Sequence, residues 1–285
     1  MHIRPISALA LASALATPAF AADDAAAVAG QDDGTIIVIG VRKGYAIEAT
    51  STATRTPTAL NDIPQAITVV TEAQIDDQAM RSIGDVLRYV PGANFGQGEG
   101  HRDQIVLRGN NSTADFFSDG LRDDVQYYRG LYNVERVEVL KGPNAMIFGR
   151  GGGGGIVNRV TKTPLANGFV RGSAGVDSEG GFLLEADLNQ PLAASAAVRL
   201  NAAYERFDTH REVYEGERFA INPTAAVTLG EATRIDLSYE YNKDDRVVDR
   251  GVPSFEGRPL TGFRDTFFGD PEVNDTDFDA HILKA

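Results

Sequence analysis

Between Asn133 and Lys162 the chain reads NVERVEVLKGPNAMIFGRGGGGGIVNRVTK, and few folds accommodate such a stretch. It opens on alternation, with Val134, Arg136 and Glu138 set against Glu135, Val137 and Val139. A β-branched run of period two is a strand with two unlike faces. Gly142-Pro143 ends it, because proline has no N–H for a ladder and restricts the residue before it. Asn144 to Phe148 has room for one helical turn. Glycines from Gly149 to Gly155, broken only by Arg150, follow, and Ile156–Thr161 begins a second strand. A flexible linker would tolerate these glycines, but they suit better a backbone that packs closely and adopts positive φ.

Composition sets the outer bounds. The chain has 285 residues, no Cys, no Trp, 30 Gly and a formal net charge of −13. That acidity argues against a nucleic-acid partner. Without cysteine there is no disulfide framework and no thiolate metal site. Beyond the N-terminus no window approaches the roughly 18 apolar residues of a membrane-spanning helix, so any crossing must use strands.

Met1–Ala21 reads as a secretory signal: Arg4, an apolar stretch from Ile6 to Ala16, then Ala19-x-Ala21 as a cleavage pattern. Residues 22–45 form an acidic, Ala-rich linker in which Thr35, Ile36, Ile37, Val38 and Ile39 stand out as uncharged β-formers. Exposed, they suit strand addition at another protein's sheet edge. Ala66–Thr71 reads as a strand, followed by a helix capped by Thr71. Ser82–Val90 reads as a second helix with Ile83, Val86, Leu87 and Val90 on one face. Polar loops flank a strand at Gln104–Gly109.

Past Pro164 the texture changes to runs of about ten residues: 168–176, 182–189, 197–207, 219–229 and 233–242. Val198, Leu200, Ala202 and Tyr204 share a face opposite Arg199, Asn201 and Glu205. Ile235, Leu237, Tyr239 and Tyr241 do likewise opposite Arg234, Asp236, Ser238 and Glu240. Apolar-out, polar-in strands of this length suit a lipid-embedded barrel with a wet interior, although a soluble sandwich alternates too. Gln190–Ala196 and Gly230–Ala232 are short connections; Asp208–Arg218 and Lys243–Asp279 are long and charged. A sixth strand begins at the end of the chain.

Val134–Lys162 resembles the plug signature of TonB-dependent outer-membrane receptors. Asp62-Ile63-Pro64-Gln65 with Val69-Val70-Thr71, Ile105–Gly109 (IVLRG) and Ser118–Asp124 (SDGLRDD) are also similar to that family. In the second long loop, RGVPS, GRPL and TFFGDP resemble its catecholate-siderophore branch. The resemblance implies an α+β plug domain (46–164) followed by an antiparallel transmembrane β-barrel, of which 165–285 would be about five strands of an expected 22. Such a part cannot close alone, since an open sheet edge is not tolerated in lipid. The chain is therefore expected to be the front of a longer receptor.

The same resemblance implies no catalytic residue, no enzymatic activity and no cofactor, iron arriving as the ferric siderophore. Partners would be TonB with its inner-membrane energising complex, bound at Thr35–Ile39, and the lipid of a Gram-negative outer membrane, with the receptor a monomer. The short reach before Thr35 leaves no room for an N-terminal signalling domain. Ligand contact is expected at Phe95, Gln97, His101, Arg102, Asn110 and Phe117, because a bulky aromatic trianion wants cationic and aromatic partners. Each is also an ordinary loop residue. Arg136, Glu138, Lys141 and Arg150 are expected to lock the plug to the barrel wall. The four His lack ligand spacing, so no protein-built metal site is expected.

Two points pull the other way. The stretch 243–279 holds five basic and ten acidic residues, a poor cationic funnel for a trianion. Haem, cobalamin or a carbohydrate are alternative ligands, and a truncated fragment without function is another reading. A secreted nucleotide-binding enzyme built on the glycines would need a phosphate-contacting GK[ST], which is absent.

Overall fold

The structure is a computed structural model that describes residues 44–142, 145–149, 153–230 and 233–285. The signal peptide, Thr35–Ile39 and Arg150 lie outside the described residues.

The first half is built on a mixed sheet. A short antiparallel pair, β1 (Ala49–Thr50) and β2 (Thr58–Ala59), precedes β3 (Ala66–Thr71). β3 runs into α1 (Glu72–Asp77), whose first turn is capped by the Thr71 hydroxyl accepting the Gln74 N–H. α2 (Ile83–Leu87) begins with a capping box: Ser82 accepts the Asp85 N–H and the Asp85 carboxylate accepts the Ser82 N–H. This helix stops short of the expected Val90. Tyr89 and Val90 donate to carbonyls three residues back, so the chain tightens ahead of Pro91. The expected apolar face holds: Ile83, Val86, Leu87 and Val90 are all buried.

β4 (Ala93–Phe95), β5 (Ile105–Leu107) and β6 (Asn110–Ser112) make a small antiparallel sheet. After β7 (Phe116–Ser118) and β8 (Leu121–Arg122) come β9 (Val134–Lys141), α3 (Ala145–Phe148) and β10 (Gly155–Thr161). The main sheet has the order β3-β9-β10-β7-β8, with β10 parallel to β7 and the other neighbours antiparallel. Apolar clusters cover both of its faces. One gathers Val70, Ile75, Ile83, Leu87, Val137, Val139 and Val157; the other gathers Ala53, Ile63, Phe117, Leu140, Phe148 and Ile156. The polar face expected of β9 is thus covered as well, and Glu138 on it has no exposure. Gly155 sits at φ +143°, and a Cβ there would overlap the Leu140 carbonyl oxygen. Gly154 meets the Leu107 carbonyl in the same way, so these two glycines serve close approach rather than slack.

The second half is a meander of long strands. β11 (Phe169–Val176), β12 (Phe182–Ala193), β13 (Ala196–Phe207), β14 (Gly216–Leu229) and β15 (Thr233–Val247) lie side by side. A small hairpin, β16 (Ser254–Phe255) with β17 (Arg258–Pro259), precedes β18 (Asp275–Lys284), which pairs with β15. All neighbours in the six-stranded sheet are antiparallel. The strands outrun the expected ones. β12 continues to Ala193 through a register shift after Pro191, so the Gln190–Ala196 connection shrinks to 194–195. The long connections shorten to 208–215 and 248–274. Charges occupy both faces of β15 near its end, Lys243 and Asp245 on one and Asp244 and Arg246 on the other, which hides the alternation.

Burial on this sheet is inverted. Leu237 and Tyr239 are 50% and 37% exposed, whereas Glu240 and Asn242 just beyond them are 1% and 4%. Leu184, Phe219, Ile235 and Leu283 also face outward. A sheet that covers its charges and presents leucine is matched to an apolar solvent. A soluble sandwich would bury the leucine face instead. Among the described residues no helix is long and apolar enough to cross a membrane, which says nothing of strands.

Candidate functional site

The inner face of the long sheet carries a polar row that meets the first half of the chain. Asp187 stands beside Asn201 and Asn201 beside Asn222, one rung across three strands, with Glu240 on the next strand. Asn133 donates to Asn222 Oδ1 at 3.1 Å. Arg159 Nη1 lies 3.9 Å from Glu240, both almost fully buried. Lys162 sits 2.8 Å from Glu72 and 3.5 Å from Asp187, whose carboxylate is gripped by both ends of the Arg199 fork at 2.8 and 2.6 Å. Lys284, from β18, donates to Ser118 at 3.0 Å and to Asp119. Tyr127 stacks on Phe278 with ring centres 5.2 Å apart. Several buried polar atoms along this seam accept no hydrogen bond, among them Oδ1 of Asn133 and one oxygen of Glu240.

Behind the row lies a charged centre. Arg129 and Arg159 converge on Asp123, at 2.8 and 3.3 Å, and Tyr127 donates to the same oxygen at 3.0 Å. Burial works to raise Asp123, but the two guanidiniums outweigh it and hold the carboxyl below the usual range. Asp103 has one arginine at 3.4 Å and one backbone N–H at 2.9 Å. For Asp103 burial wins, and its carboxyl is pushed up. Burial likewise pushes the phenols of Tyr127 and Tyr132 up.

At the end bearing the long loops, the 96–103 loop meets residues 249–251. Gly98, Glu99 and Gly100 are all left-handed, at φ +63°, +61° and +84°. Gln97 Nε2 donates to the Asp249 carbonyl at 2.9 Å, and Tyr128 donates to the Gln97 carbonyl at 3.2 Å. Arg250 pairs with Glu99 at 2.6 Å. Asp249 is clamped by Arg211, which also donates to the carbonyls of Arg264 and Thr266 at 2.9 and 2.8 Å. Arg211 thus ties both long loops to the residue that the 96–103 loop rests on.

The expected ligand residues divide. Gln97, His101 and Arg102 do sit on this loop, with Arg102 bonded to Gln126 at 2.9 Å. Phe95 packs on α2 with its ring against Gly84, in the apolar core. Phe117 is 2% exposed and packs edge-on against Phe148, so the structure places it in the core rather than on a loop. Asn110 is exposed beside Gly153 and Gly154, by the glycine hairpin.

Of the expected locking residues, Arg136, Glu138 and Lys141 are described, and they make the following bonds. Arg136 pairs with Glu138 at 2.6 Å and Glu135 at 2.9 Å, and Glu138 accepts the Thr50 hydroxyl at 2.7 Å. Lys141 donates to the Pro91 carbonyl at 3.1 Å. Each of these bonds stays within the first half of the chain. Within the Asn133–Lys162 stretch, bonds to the long sheet come from Asn133, Arg159 and Lys162. Strand alternation alone could not say which of its residues would face the wall. Glu99, Arg211, Asp249 and Arg250 also escaped the sequence reading. The Gly98-x-Gly100 spacing was the one available hint of a constrained turn.

A family model described as TonB-dependent Receptor Plug Domain matches residues 59–156. A Bordetella pertussis protein named probable TonB-dependent receptor BfrD is 36% identical over 210 residues, 71% of this chain and 28% of its own length. The Escherichia coli K12 catecholate siderophore receptor Fiu is 33% identical over 68% of this chain and 26% of its own. The crystal structure of the siderophore receptor PiuA from Acinetobacter baumannii superposes with a TM-score of 0.78 at 26% identity, covering 85% of this chain and 36% of that one. The chain spans little more than a quarter of the length of these curated relatives.

Proposed function

We propose, on the premise that this chain belongs to the TonB-dependent receptor family, that it serves to bind a ferric siderophore at the outer membrane and to import it with energy drawn through TonB. The observation that carries this reading is the inverted sheet joined to the plug through buried polar groups. A wall with leucine outside and carboxylates inside, packed on a plug rather than on an apolar core, is suited to a gated passage through lipid.

The sequence of events in this reading runs as follows. A chelate reaches the long-loop end and meets Gln97, His101 and Arg102. Thr35–Ile39 becomes available to the periplasm, where a partner adds a strand. A pull on that segment works against the polar seam of Asn133, Arg159 and Lys162. Water replaces each lost bond as the seam opens. No bond in the chelate is made or broken, and iron is cargo throughout. A catecholate ligand is supported by RGVPS, GRPL and TFFGDP and by the resemblance to a catecholate receptor. The acidic surplus of 243–279 favours a second reading, a chelate of lower negative charge.

Deleting Thr35–Ile39 from the receptor at its full natural length tests the coupling. We expect growth on a supplied ferric siderophore as sole iron source to be abolished while binding of the chelate persists. Normal uptake after the deletion would sink the TonB assignment.

A further inference from the structure

Two guanidinium groups share one carboxylate where the plug's outer loop meets the wall. Arg250 Nη2 lies 2.6 Å from one oxygen of Glu99, and Arg102 Nη2 lies 3.3 Å from the other. Arg102 belongs to the plug and Arg250 to the connection after β15, so Glu99 neutralises cations from both halves of the chain.

The backbone is bent to deliver that carboxylate. Glu99 holds φ +61° between two left-handed glycines, a conformation that a glutamate keeps only when its surroundings enforce it. A Cβ at Gly100 would press on the Asp249 backbone, so the close approach also requires glycine. Strained turns of this kind concentrate where function needs them.

The bond itself is easily exchanged. The side chains of Glu99 and Arg250 are 50% and 66% exposed, and ion pairs so open to water are weak. Arg102 is better held, by Gln126 at 2.9 Å, and keeps its place when the carboxylate leaves.

We propose that Glu99 is a built-in stand-in for an anionic ligand. Adjacent acidic oxygens of a metal chelate take the place of its carboxylate between Arg102 and Arg250. The exchange removes one of the links between the 96–103 loop and the loop carrying Asp249, leaving the left-handed turn with less to hold it. This inference rests on the siderophore reading above and names the chemistry its ligand must present.

The test uses the receptor at its full natural length in detergent micelles, with titration calorimetry against two probes. One is a ferric tris-catecholate trianion and the other a neutral ferric tris-hydroxamate. Glu99→Gln removes the competing charge and should tighten the trianion about three- to fivefold, the scale of an exposed ion pair. Arg250→Gln should weaken it by a similar factor, and Glu99→Gln should gain nothing in that background. The neutral probe should respond to neither change. If wild-type protein binds the trianion and Glu99→Gln gains nothing, or gains equally for the neutral probe, the stand-in role is wrong and the receptor reading stands. If wild-type protein binds neither chelate, the siderophore reading falls and takes this inference with it. Should Glu99→Gln not assemble, Arg250→Gln carries the same comparison between probes.

Discussion

Replacing Arg129 by leucine isolates what the charged centre contributes to the plug. Its guanidinium is 1% exposed and donates to Asp123 at 2.8 Å and to Asp103 at 3.4 Å. It also donates to the carbonyls of Tyr127, Asp123 and Val125 at 3.2, 3.0 and 2.7 Å. Leucine fills part of the space and makes none of these bonds. Asp123 keeps Tyr127 and Arg159, but Asp103 is left with a single backbone N–H. Breaking a buried pair from one side costs about 3–5 kcal/mol. Asp103, already pushed up by burial, recovers part of that by taking a proton, so a net loss of about 3 kcal/mol is expected. At about 1.4 kcal/mol per decade, amides across residues 103–133 should then exchange roughly a hundredfold faster. Hydrogen exchange by mass spectrometry on the full-length receptor reads this directly. An acceleration below about fivefold would refute the reasoning, and would mean that the two apolar clusters hold the plug without help from its charges.

Leu237→Arg places a cation on the outward face, where a lipid-facing arginine costs about 2–4 kcal/mol near the midplane; the folded, heat-modifiable band on a gel should be depleted, while Asp236→Asn leaves it intact. Gly155→Ala forces a Cβ onto the Leu140 carbonyl at φ +143°, so the hairpin should become protease-sensitive and receptor levels should drop. Asp119 is held below the usual carboxylate range: burial opposes this, and Lys284 and Thr161 overcome it. A depressed acid stabilises above its unfolded value, about 3.9, and that contribution is lost as pH falls through the lower folded value. Plug release measured by urea titration should therefore ease below about pH 4, and Asp119→Asn should flatten that limb. Asp123→Asn should cost more than Asp103→Asn, because three donors converge on Asp123 and only one arginine with one amide serves Asp103.

The elements were legible wherever local chemistry dictates them. Thr71 and Ser82 cap helices because their hydroxyls accept amide hydrogens two or three residues on, and this depends on nothing distant. Val198–Tyr204 and Ile235–Tyr241 showed their faces because strand alternation is strictly period two. That alternation also led to the expectation of an apolar outer face, and the burial of Glu240 and Asn242 agrees with it. Partners were harder still. Arg136 and Glu138 carry the right charges for a lock, and they lie two apart on one strand face and pair with each other at 2.6 Å. Arg159 reaches Glu240 because β10 neighbours β7 and β9 and aims that side chain at the wall, a fact of topology 81 positions away in sequence. Phe117 seemed a loop aromatic until β7 took its place in the central sheet.

The seam between plug and wall is made of amides, carboxylates and guanidiniums that water solvates almost as well as they solvate one another. Leucine packed on leucine resists separation through the whole stroke, since apolar area exposed to water is lost free energy at every step. A polar contact resists only until the first water slips in, after which hydration returns most of what the bond had contributed. Asn133 and Glu240, each with one buried oxygen that accepts no hydrogen bond, are where such wetting can begin. Under the pull proposed above, such a joint would act as a brittle bond under load and a lubricated bearing once loaded: firm at rest, short in yield, and reversible when the pull ends.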